Sequence, residues 1–283
     1  MSSKVTMKAR GSGSATDLLK YLILFLGLVF FLFPIYWLLT SSFKHDVDIF
    51  SLPPRLLLFR PTLSNFVQVF RATNIPILVL NSFLTAAINV VLSLAVGSLA
   101  AYAISRQRVG GQRLLFWFLS LRMLPPIVVS IPLFIIAARL RLVDTRAILP
   151  LMYLLVNVPF VIWMMKSFID EVPISVEESA LIDGCSPWRV LWSVVLPMIK
   201  PGLVATGVFC FIFSWNEFLL AMIFTRRAAT TLPIGISGFI AVEQIFWGPL
   251  TASAAIATLP PMALAWVFQR YMVRGLTFGA VKT

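Results

Sequence analysis

Six stretches of this chain are long, apolar and almost free of charge, and they decide what it can fold into. Residues 21–43, 72–105, 147–165 and 244–269 contain no Asp, Glu, Lys or Arg. Residues 114–138 contain only Arg122, and residues 201–225 only Glu217. About 20 helical residues cross the ~30 Å hydrocarbon core of a bilayer. The runs are long enough, and none alternates with a period of two, so they read as helices and not as a barrel. They place spans at roughly 18–40, 78–104, 114–138, 147–168, 199–224 and 249–271. Of the 283 residues, 59% are hydrophobic and 12% charged. A soluble domain of this size has too little interior to hide so much apolar surface. The fold class is therefore an all-α membrane protein with six transmembrane helices.

The net charge of +12 would suggest a nucleic-acid partner in a soluble protein. Here the basic residues flank the spans, where they set orientation, and no nucleic-acid partner is implied. Six spans put both termini on one side. Lys and Arg total 13 in the segments on that side and 9 on the other, leaving Arg122 aside. That bias makes both termini cytoplasmic, together with the segment between the fourth and fifth spans. Cys185 lies in a polar segment and Cys210 in an apolar run, so neither a disulfide nor a zinc site is expected. The lone His45 has no cluster around it and reads as a solvated loop residue. The basic, Gly/Ser-rich tail precedes an apolar run too long for a secretory signal core, so that run reads as a retained first span.

The second span contains NSFLTAAINVVLSLAVGSLAAYA. Small residues let helices approach closely in lipid, and buried amides bond across helices, so a tightly packed bundle is expected. Pro125, Pro126, Pro132, Pro159, Pro260 and Pro261 interrupt other spans. Such breaks either line a cavity or only shape packing.

One polar, turn-punctuated segment stands between the fourth and fifth spans: EESALIDGCSPWRVLWSVVLPMIKPG, residues 177–202. Ser175 stands three residues before Glu178, a capping-box spacing that predicts a helix over 176–183. Gly184 is placed to end it in a left-handed conformation. Ser186-Pro187 starts a second helix, with Ser as cap and Pro in the first turn. Val190, Leu191, Val194 and Val195 continue it at helical spacing to Pro197. Glu177 and Glu178 are adjacent, so they diverge on a helix and cannot converge on one substrate atom. The segment reads as a rigid elbow for docking, and not as a catalytic loop.

The spacing of Glu178-Ser179-Ala180, three residues, Gly184, nine residues, Val194-x-Leu196-Pro197 resembles the EAA motif of bacterial ABC importer permeases. Ser179 stands where the motif has Ala, and Val194 where it has Ile; both changes keep size or branching. The stretches 81–106, MLPPIVVSIPLF (123–134), FSWNEFLLAMIF (213–224), TLPIGI (231–236) and GLTFGAVKT (275–283) are similar to the carbohydrate branch, in particular to small permeases of maltose-importer type. The resemblance implies a type I importer fold with a cytoplasmic coupling helix. It implies a tail at 1–17, a first helix and external loop at 18–76, a core at 77–274 with the coupling loop at 173–198, and a cytoplasmic tail at 275–283. It implies a second, non-identical permease, two ATP-binding subunits, an external solute-binding protein and a sugar-type substrate, in the bacterial inner membrane. Glu178, Ser179, Ala180, Gly184, Val194, Leu196 and Pro197 would couple to the ATPase. Glu178 either caps its helix, faces a basic residue of the partner, or does both.

No G-x-x-x-x-G-K-[ST] phosphate loop occurs in the chain, so ATP and Mg are expected on partner subunits, with no cofactor and no enzymatic activity in this chain. Arg122 and Glu217 are charges at membrane depth, which usually face water or each other. Three placements fit: an Arg122–Glu217 pair; contacts in a translocation cavity with Asn157, Trp215 and Asn216; or a position nearer the interface. An unpaired Arg122 would suit an anionic sugar derivative, and polyol, glycerol-phosphate or other glycoside cargo also fits. A secondary transporter would need more intramembrane carboxylates than Glu217. A membrane-embedded enzyme would need a converging His, Asp or Ser set, which is absent.

Overall fold

The computed structural model describes residues 15–241 and 243–277. Most of the two expected tails, 1–17 and 275–283, lies outside those residues. Fifteen α-helices follow in order: α1 (Ala15–Ser42), α2 (Asp46–Ile49), α3 (Ser64–Ala72), α4 (Ile75–Arg106), α5 (Gly111–Met123), α6 (Pro126–Arg139), α7 (Ile148–Met152), α8 (Leu154–Asp170), α9 (Ile174–Ile182), α10 (Pro187–Val190), α11 (Leu196–Met198), α12 (Lys200–Trp215), α13 (Leu219–Phe224), α14 (Leu232–Ser237) and α15 (Trp247–Thr277). A π turn, Leu191–Val195, joins α10 to α11.

Three of these are long and apolar enough to cross a membrane: Asp17–Ser42, Ile75–Arg106 and Trp247–Met272. Two bent pairs raise the number to as many as five. The expected all-helical bundle is met, and by length and apolar composition the described residues supply three to five of its six expected spans, with prolines marking the bends. Gly111–Met123 and Pro126–Arg139 meet at 88°, where one straight span over 114–138 was expected. Leu124 stands before Pro125 and is extended at ψ 123, as a residue preceding proline tends to be, and Pro126 opens the new helix. Pro187–Met198 and Lys200–Trp215 meet at 79° around Ile199. The expected span 147–168 is split at Tyr153 into α7 and α8. The expected span 199–224 is split at 216–218 into α12 and α13.

The core is built around α4. It packs on α8, α12, α14 and α5. Small and polar residues face those neighbours: Ala86, Asn89, Ser93, Gly97, Ser98 and Ala101 are all buried. Gly97 permits a close approach to α8, since a Cβ there would lie 2.5 Å from Val161 Cγ1. Helix packing in lipid relies on such contacts because lipid tails supply no hydrophobic drive between helices. α1 stands apart. It packs along α15, yet none of its spanning window is buried within the chain.

Candidate functional site

The elbow forms where the sequence puts it, with one change in how it is capped. α9 runs from Ile174 with Pro173 at its N-cap, so Ser175 lies inside the helix. The expected capping box between Ser175 and Glu178 does not form. Instead Ser179 Oγ donates to the Ser175 carbonyl at 2.8 Å. Pro173, with φ −60, already supplies a helix-ready φ, and the start moves back to it. The other end follows the expectation. Gly184 has φ +83, its amide donates to Leu181 O, and the Cys185 amide donates to Ala180 O, both at 3.0 Å. This is a Schellman ending, which satisfies the last carbonyls of α9. Ser186 Oγ then accepts from the Arg189 amide at 3.4 Å, with Pro187 in the first turn of α10.

The elbow's tip and base differ in chemistry. Glu178, Ser179, Gly184 and Pro197 are exposed, while Ala180, Val194 and Leu196 are half-buried. Ile182 is 86% exposed and Trp188 64% exposed, so the tip offers large apolar side chains to whatever meets it. The base is fixed in the core. Val172, Val190, Leu191, Val195 and Ile199 pack in one cluster with Met165, Phe168 and Ile169 of α8.

Glu177, not Glu178, anchors the elbow within the chain. It is buried, and Arg106 Nε of α4 donates to its Oε1 at 2.6 Å. Tyr102 Oη donates to its Oε2 at 2.9 Å. The Arg106 Nη2 group donates to the Ile169 and Val172 carbonyls at 2.8 and 2.7 Å. Every hydrogen bond a buried pair needs is thus supplied, which is the condition for burying two charges without a large penalty.

The residues expected around a cavity fall in separate places. Asn157 and Glu217 line one small cavity of about 20 Å³, with Tyr153, Val156, Phe213 and Ser214. That volume suits a single water and is far below a ligand pocket of about 300–1,000 Å³. Asn157 Nδ2 donates to Asn89 Oδ1 at 2.5 Å and to Ser214 Oγ at 2.9 Å. Asn89 Nδ2 donates to the Pro150 carbonyl at 2.8 Å. A buried polar network therefore joins α4, α7, α8 and α12. The side chain of Glu217 caps α13, accepting from the amides of Leu220 at 2.9 Å and Ala221 at 3.1 Å. Arg122 does not pair with it. The ion pairs among the described residues are Lys20–Asp17, Arg55–Asp48, Arg106–Glu177 and Lys166–Asp170. The Arg122 guanidinium lies instead over the rings of Phe160 and Phe213, at 4.6 and 4.8 Å. Trp215 is buried; its Nε1 donates to the Ala257 carbonyl at 3.0 Å, tying α12 to α15. Asn216 is exposed and donates back to Ile212 O at 2.9 Å.

A second anchor was not legible in the sequence. Asp144, at φ +60 between α6 and α7, accepts from the amides of Arg226, Arg227, Ala228 and Ala229 at 2.9–3.1 Å. Asp is among the few residues that tolerate this left-handed conformation. Burial would raise its carboxyl, but the amides of Arg226, Ala228, Ala229 and Arg227 outweigh it and hold the group below its usual range. The same loop is held from the other side, because Asn81 Nδ2 donates to the Ala228 and Thr230 carbonyls at 3.0 Å.

Residues 93–278 match the family described as the binding-protein-dependent transport system inner membrane component, and they include the whole elbow. The chain belongs to that family. Within it, the chain is 39% identical to the probable ABC transporter permease protein y4oR of Sinorhizobium fredii, over 89% of this chain and 91% of that protein. It is 34% identical to the trehalose/maltose transport system permease protein MalG of Thermococcus litoralis, over 94% and 98%. Its fold matches a chain of a bacterial ABC transporter involved in importing the acidic polysaccharide alginate. The TM-score is 0.74 and the identity 21%, covering 94% of this chain and 99% of that one.

Proposed function

We propose that this chain is a permease subunit of an ATP-driven importer that carries a sugar or sugar derivative into a bacterial cytoplasm. It sits in the inner membrane with both termini cytoplasmic. It pairs with a second, non-identical permease, two ATP-binding subunits that hold ATP and Mg, and an external solute-binding protein. The observation that carries this reading is the elbow. A capped helix pair rooted in the core presents Ile182, Trp188 and Glu178 outward, which suits seating in a cleft of another subunit. The trehalose/maltose permease supports the cargo class. The small size of the cavity lined by Asn157 and Glu217 supports a pathway completed by the second permease.

Substituting Trp188→Asp tests the docking. Large apolar anchors at an interface are typically worth about 2 kcal/mol, so the ATPase partner should bind roughly thirtyfold more weakly in a mild-detergent titration. Unchanged binding, or no ATP-hydrolysing partner for the unaltered chain, would sink the reading.

An anionic cargo is the second reading, and the placement of Arg122 favours it. Its guanidinium rests on two aromatic faces and has no carboxylate partner among the described residues. The alginate importer matched in fold takes an acidic polysaccharide. In reconstituted vesicles, Arg122→Gln is expected to slow uptake of an acidic glycoside about tenfold or more, the loss of one charge-assisted contact, and to spare a neutral one. Equal uptake of the acidic glycoside by both forms would rule this cargo out.

A further inference from the structure

We infer that α4 is a rigid strut that transmits displacement of the elbow to the loop 225–231, and that Arg106, Glu177 and Asn81 are the positioning residues at its two ends. The inference rests on the proposed coupling of the elbow to an ATPase. α4 has 32 residues, and its one proline, Pro76, sits in its first turn, where it breaks no hydrogen bond. From Asn81 to Arg106 it extends about 38 Å at 1.5 Å per residue.

Both ends are bonded to the parts that would move. At one end, Arg106 and Tyr102 together grip both carboxylate oxygens of Glu177 at 2.6 and 2.9 Å. The same Arg106 ties down the carbonyls of Ile169 and Val172, so α4, the end of α8 and α9 form one body. Ser105 Oγ adds a bond to Asp170 Oδ1 at 2.5 Å. At the other end, Asn81 holds the carbonyls of Ala228 and Thr230, and Ser82 Oγ accepts from the Leu232 amide at 2.8 Å. Between them, Gly97 packs on Val161 and Asn89 bonds to Asn157 and Pro150, so the rod cannot slide past its neighbours without breaking both contacts.

Energetic coupling over such a distance is carried by chains of packed side chains and hydrogen bonds whose two ends are biased together. Here every joint of that path is a named contact. A tilt of the elbow is passed to α4 through the Glu177 grip. The Asn81 hook passes it on to the loop that also holds Asp144.

The test uses the assembled importer in lipid nanodiscs with spin labels at Arg227, on the loop, and at Val47, on α2. ATP trapping is expected to change the label separation in the unaltered complex. Glu177→Gln and Asn81→Leu should each shrink that change and lower solute moved per ATP hydrolysed by about fivefold or more, the low end of typical coupling energies. A folded control is needed, so each complex is first matched for melting temperature. If Glu177→Gln fails to assemble, Tyr102→Phe takes its place, since it removes one bond and keeps the ring. A wild-type label change and a wild-type transport ratio in both Asn81→Leu and the elbow-end variant would overturn the strut. An unaltered complex that hydrolyses no ATP would count against the proposed function instead.

Discussion

Gly97→Leu is expected to abolish the folded bundle. α4 and α8 approach so closely that even a methyl group at position 97 would lie 2.5 Å from Val161 Cγ1 and 2.7 Å from its Cβ. Val161 cannot give way easily. It is fully buried, it is β-branched with few rotamers, and its own Cβ is one of the clashing atoms. Overpacking of this kind costs about 1–3 kcal/mol for modest insertions, and an isobutyl group exceeds the space that shifting can create. Gly97→Ala should therefore lower the melting temperature in detergent, and Gly97→Leu should leave no monodisperse peak in fluorescence-detected size exclusion. Gly207→Ala is the control. Its Cβ would meet Leu94 Cδ1 at 3.3 Å, the far end of a flexible side chain, and should be tolerated. A Gly97→Leu protein that melts with the unaltered one would show that the interface between α4 and α8 is not where the bundle is held.

The second large effect is expected at Asp144. Its two oxygens serve four backbone amides on the loop after α13, and no other side chain replaces it there. Asp144→Ala leaves those donors unpaired, at about 1–3 kcal/mol for each one that water does not reach. Amide exchange at 226–229 should then rise on the order of tenfold to a hundredfold, while exchange in α4 stays slow. Asp144→Asn should not rescue it, because its amide nitrogen would face donors. The same site sets a pH dependence. The folded carboxyl lies below its usual value, so its contribution is fully present above the unfolded pKa of about 3.9. It is lost as the pH falls through the lower, folded value. The loop should loosen under strong acid and keep its protection from mildly acidic to neutral pH. Loosening between pH 7 and 5 would contradict this assignment.

What the sequence made legible follows from range. Charge-free length announced a membrane bundle, and local caps announced the elbow. Gly184 and Ser186-Pro187 act over a few residues, so their roles could be read directly. The capping box at Ser175 does not form because Pro173 supplies the helix start two residues earlier. The bends at Leu124 and Ile199 were only half visible. Prolines marked the positions, but the angles of 88° and 79° depend on what packs against each half. The grips on Glu177 and Asp144 were out of reach, since their partners lie 71 and 82–85 residues away. Arg122 and Glu217 could be recognised as unusual from burial cost alone. Which aromatic face or helix end received each was a matter of tertiary placement.

α1 buries none of its spanning window against the rest of its own chain. Its apolar surface is therefore a term in the assembly's free energy and almost none in the monomer's. Those residues direct their contacts to neighbouring molecules, lipid or subunit, so a change on the outer face of α1 is expected to alter assembly before it alters the α4-centred bundle. In mechanical terms the span is a module joined to the bundle chiefly along α15.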